Sequence, residues 1–396
     1  MSDPAPVPPH AFGAGSSILN LAAGIAGRFG IRAPVPPVED ARLDAALQAA
    51  RSVVTVLFDG LGERQLATHA PRGALSRFRL RSLDSVFPSS TAPAVTSLAT
   101  AAPPAMHGNP GWLMWSESAG AIVRTLPMDV RGDRGHTVSA ADTWSWRPWT
   151  ARAAAPTLAI LPREIADSEF SRHAYSGSTR FAYAEIAEIA DVVVEALRAH
   201  PEGVGVFVYL PQFDAISHHA GWQSDAAAAV VGEFDRWFAA LVARSAVFDA
   251  LVLASADHGF VDIDPAEQLQ LRDFPVIGEC LERPLSGEPR VPFCQVRPGC
   301  RQRFAEIVAG ALGDAFDVYE SARLLRAGWF GATPRGRPSA LAGRLGTHVL
   351  VPRRRVTLVD AVEGERPMRF VGMHGGISDD EMKVPLMAAY RGEPIS

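Results

Sequence analysis

Three runs of apolar, largely β-branched residues constrain this chain more than any other feature, because each is followed closely by an aspartate. Ser52-Val53-Val54-Thr55-Val56-Leu57-Phe58 runs into Asp59-Gly60, Gly205-Val206-Phe207-Val208-Tyr209-Leu210 leads through Pro211 to Asp214, and Ala250-Leu251-Val252-Leu253-Ala254-Ser255 leads to Asp257-His258-Gly259. A strand with no polar face is buried on both sides, as in a parallel sheet covered by helices. Helical patterns over residues 182–199 and 225–246 separate the runs. The alternation predicts an α/β fold with a mostly parallel central sheet and helices on both faces, where ligand sites gather outside the carboxyl ends of the strands. Three carboxylates are thereby delivered to one edge.

A fourth feature stands between the first two runs. Phe87-Pro88-Ser89-Ser90-Thr91-Ala92-Pro93 separates a β-like segment, residues 82–87, from an Ala/Val/Leu-rich helical pattern that ends near Thr100. Thr91 then lies near a helix N-terminus, whose unpaired N–H groups and positive dipole end suit an anion such as phosphate. Such a run taken alone is an ordinary helix cap. A hydroxyl there becomes a nucleophile only where something lowers its pKa.

The bulk of the chain narrows the chemistry. A net charge of -5 with 20% charged residues provides no basic field for nucleic acid, so a small substrate is expected. The single lysine, Lys383, excludes a phosphate loop of the Walker type and leaves little room for Schiff-base chemistry. Cys280, Cys294 and Cys300 form no CxxC pair, and their odd number fits a reducing cytoplasm better than a disulfide framework. Met1–His10 has no basic n-region, the apolar run Ile18–Ile25 is broken by Asn20 and Gly24, and no stretch is long enough to span a membrane. The expected organisation is a mobile N-terminal arm over 1–37 with one amphipathic helical turn or two around Ser17 to Phe29, a catalytic core over 38–263 and 345–396, and a smaller cap domain inserted at 264–344. An irregular segment between Trp112 and Trp149, with Trp115, Trp144 and Trp146, is a candidate pocket wall.

Six residues at the ends of these elements have metal-ligand chemistry: Asp59, Asp214, His218, Asp257, His258 and His374. Asp214 and His218 are four apart and would share a helix face. Mixed carboxylate and imidazole donors suit zinc, with manganese or iron as competitors. Glycine beside three of them, Gly60, Gly259 and Gly375, lets the backbone turn tightly.

In order, Asp59, the Phe-Pro-Ser-Ser-Thr-Ala-Pro run, His107-Gly108-Asn109, Asp214-x-x-x-His218, Asp257-His258-Gly259 and His374-Gly375-Gly376 resemble the nucleotide pyrophosphatase/phosphodiesterase family of the alkaline phosphatase superfamily. The likeness spans roughly Ser52 to Pro385, apart from the expected cap and the Trp-rich segment. It implies a two-metal phosphoester hydrolase that acts through a phosphothreonine on Thr91. By position, one ion would take Asp214, His218 and His374, and the other Asp59, Asp257, His258 and the Thr91 hydroxyl. Asn109 falls where the family holds a phosphoryl oxygen. Metal bound to a hydroxyl stabilises its alkoxide, and a second ion roughly 4 Å away would serve the leaving oxygen.

This sequence departs from the family at Ser90, where a bulky or charged residue often precedes the nucleophile, and the small Ala92 follows it. Substrate specificity is therefore less transferable than chemistry. A phosphomonoesterase, a phosphonate hydrolase or a phosphomutase of the same superfamily, and a non-catalytic protein that binds a phosphorylated ligand, are the competing readings. His107, His219 and His348 match no ligand position and are expected to be structural or to support the ligands. The expected partner is a small phosphoester, nucleotides included, and no oligomeric state is implied.

Overall fold

The computed structural model of the chain describes residues 15–363, 365 and 369–395. The three apolar runs form adjacent strands at the centre of the larger sheet. Ser52–Phe58 lies between Ala250–Ser255 and Gly205–Leu210 and is parallel to both, with Leu57 opposite Ser255 on one side and Tyr209 on the other. Thr157–Pro162 and Thr179–Tyr183 continue the parallel set. Beyond Ala250–Ser255 comes the antiparallel Lys383–Tyr390, with Arg79–Asp84 outside it. Every residue of Ser52–Phe58 and Ala250–Ser255 is buried, the result expected of strands without a polar face.

Helices cover both faces, and the strand pleat assigns each its contacts. Phe58 packs against Phe234, Trp237 and Phe238 of the helix Asp225–Ser245, with ring centroids 4.8 to 6.2 Å away. On the opposite side, Val53 and Thr55 share a small apolar cavity with Ala22 and Ile25 of the helix Ile18–Arg28 and with Val95 and Leu98 of the helix Thr91–Thr100. The alternation along one strand thus seats two different helix layers.

Residues 15–37, expected to belong to a mobile arm, are part of this packing. Ser17 caps the helix Ile18–Arg28 through a capping box with Asn20, and Ile18, Leu19, Leu21 and Ala26 are almost fully buried in the main core. Asn20, which looked like a break in the apolar run, is the third residue of that helix and donates to the Pro36 carbonyl at 2.8 Å. The rest of the expected arm, residues 1–14, lies outside the described residues.

A second, antiparallel sheet runs in the order Phe316–Glu320, His348–Pro352, Pro292–Cys294, Ser286–Gly287, Leu113–Ser116, Ala121–Arg124, Asp129–Val130 and Asp133–Thr137. The segment 264–344, expected as a self-contained insertion, supplies only three of these strands. The others come from the Trp-rich region and from residues after 345. Trp144 is buried against Phe170, and Trp149 stacks on Phe29 and donates to the Leu98 carbonyl, so these two tryptophans serve the core.

The tight turn after Ser286–Gly287 joins the two sheets. Arg290 in that turn is 2% exposed, and its guanidinium makes a two-pronged pair with the fully buried Glu381, at 2.9 and 2.7 Å. Glu381 also accepts the Gly376 N–H and the Ser378 hydroxyl, so the pair fixes the loop that follows His374. Replacing one partner leaves a buried, uncompensated charge, a loss on the order of 3–5 kcal/mol. Arg290→Met should lower the unfolding free energy by about that amount in a urea titration; a loss under about 1 kcal/mol would show that the pair does not hold the sheets together.

Candidate metal centre

A different element carries each ligand candidate to the same rim. Asp59 follows the first strand, and its N–H donates to the Leu210 carbonyl of the neighbouring strand at 3.0 Å. Gly60 turns the chain at a φ of 77°, where a Cβ would lie 2.3 Å from the Phe260 ring. Only glycine fits both demands. Its N–H donates to Asp257 Oδ1 at 3.0 Å, which ties two strand ends together. The helix Gln212–Ala220 holds Asp214 in its first turn and His218 one turn later, and His374 follows the short strand Gly372–Met373.

The six side chains form two trios. The donor atoms of Asp214, His218 and His374 lie within 4.8 Å of one another, and so do those of Asp59, Asp257 and His258. The trios abut, with His258 Nε2 at 4.0 Å from Asp214 Oδ1 and the rings of His258 and His374 stacked 3.7 Å apart. Thr91 Oγ1 stands at the second trio, 3.1 Å from His258 Nε2 and 3.4 Å from Asp59 Oδ1.

Hydrogen bonds behind the imidazoles decide which nitrogens face inward. His218 Nδ1 meets the Gly372 carbonyl at 2.8 Å, His258 Nδ1 the Gly259 carbonyl at 3.1 Å, and His374 Nδ1 the Ser89 carbonyl at 3.2 Å. A carbonyl only accepts, so each Nδ1 carries a proton and each Nε2 points to the centre, where it offers a lone pair once it is itself deprotonated. His218 and His374 Nε2 atoms are 3.2 Å apart, while Asp214 Oδ1 and Asp257 Oδ2 are buried and accept no hydrogen bond. Lone pairs and carboxylate oxygens crowd one space. The donor set fits a pair of divalent cations, and it suits zinc, manganese or iron alike.

The sequence model of the family described as Type I phosphodiesterase / nucleotide pyrophosphatase matches residues 53–377. The chain belongs to that family. Among solved structures it is similar to an inactive variant of murine ectonucleotide pyrophosphatase / phosphodiesterase 5 in complex with AMP, with a TM-score of 0.66 and 16% identity over 85% of this chain and 87% of that one. It is also similar to phosphonoacetate hydrolase from Sinorhizobium meliloti in complex with phosphonoformate, with a TM-score of 0.62 and 18% identity over 86% of this chain and 90% of that one. Both likenesses are of fold. No curated protein sequence matches significantly.

Within this phosphodiesterase-family site, three consecutive hydroxyls have three different partners. Ser89 Oγ donates to the Gly376 carbonyl at 2.8 Å, Ser90 Oγ to Glu288 Oε1 at 2.5 Å, and Thr91 Oγ1 faces Asp59 and His258. Glu288 and Tyr209 were not singled out in the sequence. The Tyr209 hydroxyl donates to Asp59 Oδ2 in a short bond, and Tyr209 sits on the strand that also feeds Asp214. Glu288 belongs to the turn of the second sheet, which no local pattern announces.

Asn109 is buried behind the first turn of the Thr91–Thr100 helix and is bonded to it. Its Nδ2 donates to Thr96 Oγ1 at 2.9 Å and to the Ala92 carbonyl at 3.3 Å, which uses both amide hydrogens, and its Oδ1 is buried without a partner. So placed, it braces the Thr91–Thr100 helix, its bond to the Ala92 carbonyl being the longer of the two. His107 is buried beside it, 3.0 Å from Ser97 Oγ, and burial followed by the nearby Arg344 pushes its pKa down to about 3. His348 is buried in the second sheet and His219 is exposed.

With only protein charges around them, Asp59, Asp257 and His218 are shifted toward their protonated forms, while Asp214, despite its burial, is held below the usual carboxylate range by His218. Burial, then the Asp214 carboxylate, pushes Asp59 up to about 8, and burial with Asp59 drives Asp257 well above the carboxylate range. Burial opposes the charging of His218, but Asp214 outweighs it and raises that imidazole to about 9. A cation must displace these protons, so binding favours high pH and weakens as pH falls through 8. Titrating zinc into chelator-treated protein at pH 7.5, in buffers of different ionisation enthalpy, should show release of roughly one to three protons per chain. Heat that is independent of buffer would contradict this account of the site.

Proposed function

We propose that this family member is a two-metal phosphodiesterase, of the type I phosphodiesterase/nucleotide pyrophosphatase kind, that acts through a phosphothreonine on Thr91. The observation that carries the reading is the position of Thr91 Oγ1 at a helix N-terminus and within 3.4 Å of both Asp59 Oδ1 and His258 Nε2. A threonine held only for structure has no reason to face two metal-type donors. In this reading Asp214, His218 and His374 hold one ion, and Asp59, Asp257, His258 and the Thr91 hydroxyl hold the other, zinc being the leading candidate. When bound, the ions supply the positive charge that lowers the pKa of the hydroxyl and neutralises the departing oxygen.

The chain's own groups do the rest. Thr91 Oγ1 forms a bond to phosphorus as the bond to the ester leaving oxygen breaks, and water later cleaves the phosphothreonine. The first-turn amides of the helix, with its dipole, suit the phosphoryl oxygens, and Asn109 stands beside that turn through its bond to the Ala92 carbonyl. Asp59 is kept in place by Tyr209 behind it, so a carboxylate oxygen is presented to Thr91 without rotation. That the neighbouring structures hold AMP and phosphonoformate supports a small phosphoryl or phosphonyl substrate. No helix among the described residues is long and apolar enough to cross a membrane, and the buried free thiols of Cys280 and Cys294 suit a reducing, cytoplasmic setting.

Metal analysis of protein purified without chelators should find about two transition-metal ions per chain. Bis(p-nitrophenyl) phosphate should turn over faster than p-nitrophenyl phosphate; the reverse order would favour a monoesterase, and cleavage confined to phosphonates a phosphonate hydrolase. Thr91→Ala should cut the rate by about 10³-fold or more while metal content persists. Unchanged hydrolysis would remove Thr91 as nucleophile.

A further inference from the structure

Resting on that reading, we propose that Glu288 is a positioning residue for the substrate's phosphoryl group. It takes the Ser90 hydroxyl, and so keeps the first turn of the Thr91–Thr100 helix uncapped and its amides open to phosphoryl oxygens. Ser90 occupies the N-cap position in extended backbone, with φ -144° and ψ 151°. A serine there normally accepts a hydrogen bond from the second or third helical N–H. Ser90 makes no such bond. Its hydroxyl instead donates to Glu288 Oε1 at 2.5 Å.

The rest of the first turn makes that diversion matter. The third helical residue is Pro93, which has no N–H, so Ala92 is the one partner left for a Ser90 cap. Ala94 N–H is already bonded to the Ser90 carbonyl at 3.1 Å. A cap on Ala92 would therefore consume one of the two free amides beside the nucleophile.

The carboxylate is well fixed for the purpose. Glu288 is 4% exposed, and the oxygen that accepts from Ser90 also accepts the Trp112 N–H at 2.7 Å. Its backbone is pinned in the turn by reciprocal bonds with Val291, at 3.2 and 3.0 Å. Glycines stand where other residues would press on it: a Cβ at Gly111 would lie 3.0 Å from Glu288 Oε1, and one at Gly375 would lie 3.1 Å from Glu288 Cβ. The departure from the family at Ser90 thus has a partner in the second sheet.

The test is titration calorimetry of inorganic phosphate into the zinc-loaded protein, alongside hydrolysis of bis(p-nitrophenyl) phosphate. Glu288→Ala frees Ser90 to cap Ala92, and should weaken phosphate binding and kcat/KM by roughly tenfold, the scale of one cap. Adding Ser90→Ala removes the competing hydroxyl and should restore both to within about threefold of wild type. Glu288→Gln keeps an acceptor for Ser90 and should lose less than Glu288→Ala. Ser90→Asn sets a capping oxygen over Ala92 with Glu288 intact and should weaken phosphate binding by a similar factor, which covers the case in which Glu288→Ala fails to fold. A double variant as weak as Glu288→Ala, or a Ser90→Asn chain that binds phosphate as wild type does, overturns the role of Glu288 alone. Wild-type zinc-loaded protein that takes up no phosphate overturns the phosphoryl-transfer reading with it.

Discussion

The gathering of three carboxylates and three imidazoles at one rim, four of the six buried, is the constraint to which the rest of the structure answers. An ionised carboxylate in an apolar interior is unfavourable unless paired, and Asp59 and Asp257 are both almost wholly buried. Neutralising them by protons, as Asp59 near 8 does, gives a site that cation binding must reopen. The side chains must therefore be kept together against their own repulsion. Rigid attachment is the only means the protein has.

That attachment comes from two directions. Within the large sheet, Asp59 N–H reaches the next strand and Gly60 N–H reaches Asp257, so three strand ends are laced into one edge. From the second sheet, a single turn reaches both remaining loops: Glu288 holds Ser90 and Trp112, and Arg290 through Glu381 holds Gly376 just after His374. Phe87, at the head of the Thr91 loop, is buried among Val291, Phe293 and Phe330 of the same region. The second sheet is thus part of the site's frame, which a cap resting over the substrate would not be.

How much of this could be read from residues follows from the range of the forces involved. Asp59 and Asp257 were legible because a buried strand announces itself locally and its end is a fixed place in a parallel sheet. Asp214 and His218 were legible from helix periodicity. His374 was legible only as the last member of an ordered motif set, since nothing around it is periodic. Glu288, Arg290 and Glu381 were not legible, because a charged residue in a turn reads as solvated until a long-range pairing buries it. The helix Ile18–Arg28 was legible as a helical turn or two around Ser17 to Phe29, but its packing into the core was not, since the flanking prolines read as an arm and the capping role of Asn20 depends on Ser17 three residues before it. Asn109 adds a task that its motif did not announce, since its hydrogen bonds brace the helix behind Thr91.

The two trios differ in a way that assigns direction to the proposed reaction. Side chains of Asp59, Asp257 and His258 are 0–2% exposed, whereas those of Asp214 and His218 are 18% and 19% exposed and that of His374 is 9%. A phosphorylated threonine has to be shielded on its own side, and the leaving group and the later water have to pass on the other. In-line displacement places nucleophile and leaving oxygen on opposite sides of phosphorus. The closed trio is the one beside Thr91, so in the proposed reaction the leaving group would depart, and water would enter, past Asp214, His218 and His374. The stacked rings of His258 and His374 mark where the sealed half of the site gives way to the open one.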